Sequence, residues 1–233
     1  MDKEIGIIGD YKNSKTQIAI NESIEHSNRE LGFNTRYRWI DTTTLNNENY
    51  SETLKQLDGI WSASGSPFKS LNGSLNAIRY ARENKVPHIG TCAGYQHVVL
   101  EFAKNVLKLE NAQHAEYLDD LNNPDSLITK MKCSLAGTKG NVLIKENTLA
   151  KKIYAENKIE VDFFCSFGLN DKYSDIFNNS DFRVSGVDEV NAIRIIELID
   201  HPFFVATLFV PQVNSSYENP NPLITEFVRK VNE

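Results

Sequence analysis

Apolar and polar positions alternate along the first half of the chain in a repeating strand–helix rhythm. Glu4 to Gly9 (E-I-G-I-I-G) is a short apolar run and predicts a buried strand. Ser14 to Leu31 predicts a helix with Ile18, Ile20, Ile24 and Leu31 on its apolar side and Gly32 as its stop. Arg36–Ile40 and Leu57–Ala63 predict a second and third strand, the latter followed by the turn Ser64-Gly65-Ser66-Pro67. Leu75–Asn84 reads as a helix, Val86–Gly90 as a fourth strand, and Tyr95–Val106 as a helix. Strands that alternate with helices build a parallel sheet. The expected fold is therefore α/β: a flavodoxin-like, doubly wound, mainly parallel sheet with helices on both faces.

The second half reads differently. Asp119–Ser126 is a polar loop, and Lys132–Ile144 predicts a β-hairpin turning near Thr138-Lys139-Gly140. Glu160–Phe167, Ala192–Leu198 and Phe203–Phe209 are strand candidates, with turn chemistry in Val184–Val190 before the second of them. Asn214–Pro222 predicts a loop and Leu223–Val231 a closing helix. No repeat, low-complexity tract or interdomain linker interrupts the pattern, so residues 1–233 are read as one domain.

One stretch carries candidate chemistry. Gly90-Thr91-Cys92-Ala93-Gly94 follows an apolar run and opens a helical one. Strand, G-x-C-x-G, helix is the pattern of a nucleophile elbow. The flanking glycines let the backbone bend sharply and pack closely, and a helix N-terminus favours a thiolate. The competing reading is a structural cysteine beside turn glycines. In open α/β sheets ligands bind beyond the carboxyl ends of the strands, where both Cys92 and Gly65 fall.

Composition narrows the class. The 233 residues carry a net charge of −6, which disfavours nucleic-acid and anionic-membrane partners. No apolar run approaches the roughly 20 residues of a membrane span, and Met1-Asp2-Lys3-Glu4 has no signal-peptide pattern. Cys92, Cys133 and Cys165 make neither a disulfide framework nor a C-x-x-C metal site, which points to a reducing cytoplasm and to no metal.

Several segments resemble the class I glutamine amidotransferase domain of CTP synthase, in that family's order. They are Ile7-Ile-Gly-Asp-Tyr11, Asp58-Gly-Ile-Trp61, Gly65-Ser-Pro67, Ala77–Glu83 (A-I-R-Y-A-R-E), Gly90–Gln96 (G-T-C-A-G-Y-Q), Leu100–Val106, Asn111–Glu116, Glu197–Thr207 and Pro222-Leu-Ile. The resemblance implies a flavodoxin-like fold and a pocket that releases ammonia from glutamine through a thioester. It assigns Cys92 as nucleophile and the N–H groups of Ala93 and Gly65 as oxyanion donors. It assigns Gln96 and Glu116 to glutamine binding, Glu116 through the substrate ammonium; read without the family, Glu116 is a solvated loop carboxylate.

Two departures stand out. Where the family ends its last strand with F-H-P-E, this chain has Phe209-Val210-Pro211-Gln212. Val210 cannot take a proton and Gln212 carries no charge, so a Cys–His–Glu triad is missing at the family positions. Where the family has a basic R-H-R-Y-E-V-N run that grips the glutamine carboxylate, the chain has Glu160–Ser166 (E-V-D-F-F-C-S). Of the other histidines, His201 lies about 30 Å down its strand, and His97 is turned about 140° from Cys92 on the helix. His88 packs and His26 faces solvent. His114, near Glu116, is the candidate substitute base, its alternative being a solvent-facing loop histidine.

No phosphate loop or dinucleotide fingerprint occurs, so no cofactor is expected. The resemblance implies a glutamine-like amide as substrate and an amidoligase chain as partner; a homodimer is possible. Three functions stay open: a glutaminase-type hydrolase acting through Cys92, a binding or regulatory pseudoenzyme, and a redox role for Cys92. Cys165 is not evidently a resolving cysteine from sequence, although the fold could bring it near.

Overall fold

The computed structural model of the chain describes residues 2–131, 134–178 and 180–233. Its first half follows the expected order: β1 (Glu4–Ile8), α1 (Lys15–Leu31), β2 (Arg36–Ile40), the short α2 (Tyr50–Leu54), β3 (Gly59–Ser62), α3 (Leu71–Glu83), β4 (His88–Thr91) and α4 (Ala93–Asn105). The second half holds β5 (Ile128–Lys130), β6 (Thr138–Ile144), α5 (Leu149–Tyr154), β7 (Lys158–Phe163), β8 (Phe167–Leu169), α6 (Ser174–Asn178), β9 (Phe182–Val187), β10 (Ile193–Leu198), β11 (Phe204–Thr207) and α7 (Pro222–Val231). Strands β2-β1-β3-β4-β11 run parallel, and β10-β9-β6-β7 continue the same sheet antiparallel. Strands β5 and β8 pair separately.

Side-chain alternation divides the core into two layers. Ile5, Ile7, Trp61, Ile89 and Val205 pack under α1, α5 and α7, where they meet Ile20, Ile24, Ala150 and Phe227. Ile8, Ile60, Phe204 and Ala206 face the other way, against Ala77 and Ile78 of α3 and Val98 and Phe102 of α4. The helices therefore cover both faces, as a largely parallel sheet requires.

Four expectations change. The hairpin predicted at Lys132–Ile144 is not formed: Thr138–Ile144 is one uninterrupted strand paired with β7, while residues 132 and 133 lie outside the described residues. Gly140 lies within this strand rather than in a turn, with the Phe163 ring 3.1 Å from where a Cβ would sit. Val184–Val187 belongs to strand β9, and the turn chemistry is confined to Asp188–Asn191, where the Asp188 carboxylate accepts from the N–H groups of Val190 and Ala192. The predicted strand Glu160–Phe167 breaks after Phe163, and Phe167 starts β8. On α1 the buried face is built from Ala19, Ile20, Ser23, Ile24, Ser27 and Asn28, with Ile18 and Leu31 only half-buried.

The antiparallel wing is strongly curled. β7 is four strands away from β11 in the sheet, about 19 Å if the sheet were flat. Yet the N–H of Val210, three residues past β11, donates to the carbonyl of Asp162 in β7 at 3.0 Å. Pairing between β9 and β10 is irregular next to Gly186, a feature that increases local twist and bends a strand. The curl carries the chain beyond β7 over the end of β4.

Candidate active site

Cys92 sits between β4 and α4 with φ 54° and ψ −105°, a backbone conformation that side chains rarely adopt. Three contacts hold it there. The Cys92 N–H donates to the Thr207 carbonyl at 2.9 Å, and the Gly94 N–H to the Ala63 carbonyl at 3.1 Å. The third is close packing: a Cβ on Gly94 would lie 2.0 Å from the Ser62 carbonyl oxygen, so only glycine lets α4 approach β3 this closely. The G-x-C-x-G pattern thus forms an elbow, with Cys92 as the residue before the first helical turn. The N–H of Ala93 is the first of α4 and has no partner within the helix.

Gly65, at φ 107°, follows β3 in the turn that the elbow packs against. That turn is anchored from two sides. The buried Asp10 carboxylate, at the end of β1, accepts from the N–H groups of Thr42 (3.1 Å) and Lys69 (2.5 Å) and from the Thr42 hydroxyl. The Tyr117 hydroxyl accepts from the Phe68 N–H at 2.8 Å. Neither anchor is evident in the sequence, because both act across long separations.

Behind the elbow lies a polar cluster. His114 Nδ1 accepts from the Glu116 N–H at 3.2 Å, so Nε2 carries the proton and donates to Gln96 Oε1 at 2.9 Å. The Gln96 amide in turn donates to the Phe167 carbonyl at 2.9 Å. His114 is thus a buried, fully partnered side chain, not a solvent-facing one, and burial drives its pKa down to about 3. Glu116 is half-buried beside Ser66; burial raises its pKa, the Ser66 hydrogen bond opposes that shift, and its Oε2 is without a protein partner.

The other histidines are engaged away from the thiol. His97 bridges Ser74 Oγ (3.1 Å) and Tyr117 OH (3.0 Å), and its pKa falls well below the usual value through burial and the neighbouring His114. His88 meets Ser62 Oγ at 2.9 Å and stacks on Phe204; burial, then His201, lowers its pKa to about 3. His201 donates to the Ala81 carbonyl, and His26, which is half-buried rather than solvated, meets Ser215.

Val210 is fully buried and shares an apolar cluster with Cys92, Cys165 and Phe167. Gln212 is buried too, with its amide 3.4 Å from the Thr16 carbonyl and its Oε1 unpartnered. Cys165, on the link between β7 and β8, is disulfide-bonded to Cys92, with Cα atoms 6.0 Å apart. Sequence spacing gave no means of pairing two cysteines 73 residues apart; the curl of the sheet does it.

The glutamine amidotransferase class-I family profile matches residues 16–230. The chain belongs to that family. As a class-I glutamine amidotransferase domain of the CTP synthase type, it is 33% identical over 245 residues to CTP synthase of Campylobacter jejuni, covering 97% of this chain and 45% of that protein. It is also 33% identical over 239 residues to CTP synthase of Saccharolobus solfataricus, with 97% and 44% covered. The chain therefore spans less than half the length of these relatives. Its fold matches a Trypanosoma brucei CTP synthase glutaminase domain with bound acivicin at a TM-score of 0.89 and 22% identity, over 99% of this chain and 94% of that one. A glutamine amidotransferase from Thermotoga maritima matches at 0.60 and 11% identity, over 100% and 97%. Among the described residues no helix is long and apolar enough to cross a membrane.

Proposed function

We propose that the reduced domain is a thiol amidohydrolase that works without a histidine base. Cys92 attacks the side-chain amide carbon of a glutamine-type substrate, the C–N bond breaks with release of ammonia, and water cleaves the resulting thioester. The N–H groups of Ala93 and Gly65 receive the developing oxyanion, and Glu116 binds the substrate ammonium. The observation that carries this reading is the elbow itself: Cys92 is held at a strained φ of 54° against the Gly65 turn. Such strain persists only where packing enforces it, and it clusters at functional sites.

The missing base sets the expected rate. Removing a general base costs about 10² to 10⁴ in rate, and a thiol tolerates the loss best because some thiolate forms unaided. Slow ammonia release, abolished by Cys92→Ala, is expected from the chain in reducing buffer with glutamine in excess. Ammonia release unchanged by Cys92→Ala overturns the proposal.

A binding or regulatory role without turnover is the second reading. It is favoured by the burial of Val210 and by His114, whose two ring nitrogens are both occupied. No ammonia above the Cys92→Ala background, with saturable protection of Cys92 by glutamine against alkylation, selects it. In either case the ammonia or the bound ligand would serve an amidoligase, which the resemblance to CTP synthases supports as partner. A cytoplasmic location, a single domain and a homodimer complete the proposal.

A further inference from the structure

We propose that Cys92 and Cys165 form a reversible dithiol–disulfide pair, a thiol–disulfide exchange centre built across the elbow and independent of amide hydrolysis. The two residues are bonded with Cα atoms 6.0 Å apart, within the ordinary range for a disulfide, so the backbone already holds them in bonding position. Their surroundings differ in a way that assigns roles. Cys92 precedes the first turn of α4, a 13-residue helix whose N-terminal N–H groups favour a thiolate. Cys165 Sγ lies 3.3 Å from the Leu208 carbonyl oxygen, which favours the thiol, and it is the more buried of the two, 2% exposed against 6%. Cys92 is therefore the attacking sulfur and Cys165 the resolving one.

Both sit in the same apolar cluster as Val210, which stands where a proton acceptor would otherwise compete for the thiol. The hydrogen bond from Gln96 to Phe167 clamps the β7–β8 link to α4 two residues past Cys165. That link carries the resolving sulfur over the elbow. In the oxidised state Cys92 is capped and no amide reaches it, whereas reduction uncovers it.

The exchange balances with a low-molecular-weight disulfide, RS–SR, as oxidant. The Cys92 thiolate attacks one sulfur, the S–S bond breaks, and RS⁻ leaves, forming a Cys92–SR mixed disulfide. Cys165 then attacks Cys92 Sγ and expels the second RS⁻. Two electrons pass from the cysteine pair to the reagent, and the two thiol protons end on the two RSH products. A dithiol reverses the sequence.

The test uses the full chain with Cys133→Ser as background, equilibrated in glutathione buffers of graded reduced-to-oxidised ratio and read by intact mass and peptide mapping. A linked Cys92–Cys165 peptide that appears and disappears with the buffer ratio is expected. No linked peptide at any ratio, or a link that no ratio reduces, overturns the proposal. With oxidised glutathione, Cys165→Ser should trap glutathione on Cys92, and the adduct should outlast that of the parent by at least about 10²-fold, because the intramolecular thiol is lost. Trapping on Cys165 in Cys92→Ser at an equal rate overturns the assigned roles. Cys165→Ala provides a second variant should the serine not fold, and the peptide map of the parent needs neither. Since every readout is a mass, failure of amide hydrolysis leaves this result unaffected.

Discussion

Gly94→Ala measures how much of the elbow depends on close helix-to-strand packing. The new methyl would lie 2.0 Å from the Ser62 carbonyl oxygen and 2.7 Å from its carbon, where ordinary contact begins at 3.4 Å. The obstacle is backbone in the centre of the sheet, so α4 itself must move by more than an ångström. Overpacking of this kind costs about 1–3 kcal/mol, with immovable backbone at the upper end. Alanine regains roughly 1 kcal/mol of helix propensity over glycine. The net loss is then about 2 kcal/mol or more, and for a chain of this size it lowers Tm by roughly 4–8 °C. Gly137→Ala is the control: its Cβ meets nothing within 4 Å, and only its φ of 75° penalises a side chain, at about 1–2 kcal/mol. Calorimetry in reducing buffer compares the two, and the alkylation rate of Cys92 is read alongside. A Gly94→Ala protein that melts with the parent and alkylates at the same rate refutes the argument that this contact fixes the elbow.

Acid should destabilise the fold early. His88 and His114 stay neutral down to about pH 3 in the folded chain, but the unfolded chain binds their protons near pH 6.5. Stability present above pH 6.5 is therefore lost as pH falls, by about 1.4 kcal/mol per unit for each histidine; a denaturant midpoint unchanged between pH 6.5 and 5 contradicts this. Arg82→Ala removes the two guanidinium bonds, 2.8 and 3.1 Å, to the fully buried Glu101 carboxylate. It should cost about 3–5 kcal/mol by chemical denaturation, and a loss under 1 kcal/mol would show Glu101 to be satisfied by Asn105 alone. Reducing the Cys92–Cys165 bond opens a loop of 73 residues, worth about 4 kcal/mol of chain entropy. The urea midpoint should fall accordingly in reductant, and equal midpoints would argue that the bond adds no constraint.

The first half of the fold and the elbow were legible because local signals act there: short apolar runs, helix stops such as Gly32, and glycines at a strand-to-helix turn. The second half departs from its local sequence pattern where composition and pairing disagree. Thr138-Lys139-Gly140 has turn residues but lies in a strand, where long-range pairing with β7 overrides the local signal. Gly186 looked like a turn and instead marks irregular pairing with β10. At the candidate site, the apolar character of Val210 is evident from the residue type, and the structure buries it beside Cys92. The occupation of His114 by Gln96 and Glu116 is not evident in this way, because it depends on a loop folding against α4. The placement of Cys165 was equally hidden, being a property of sheet shape.

The curl of the antiparallel wing makes the distance between Cys92 and Cys165 a cumulative quantity. One cysteine follows β4 and the other follows β7, so five strand-to-strand joints separate them along the sheet. Each joint contributes its own twist, and small angular changes compound like tolerances in a chain of machined parts. A substitution at Gly186, or a register shift between β9 and β10, would thus be read out at the thiols as a change in their spacing. The bond from Val210 to Asp162 helps to close the chain of parts directly. The spacing of Cys92 and Cys165 is therefore set in part by residues that lie several strands away from either.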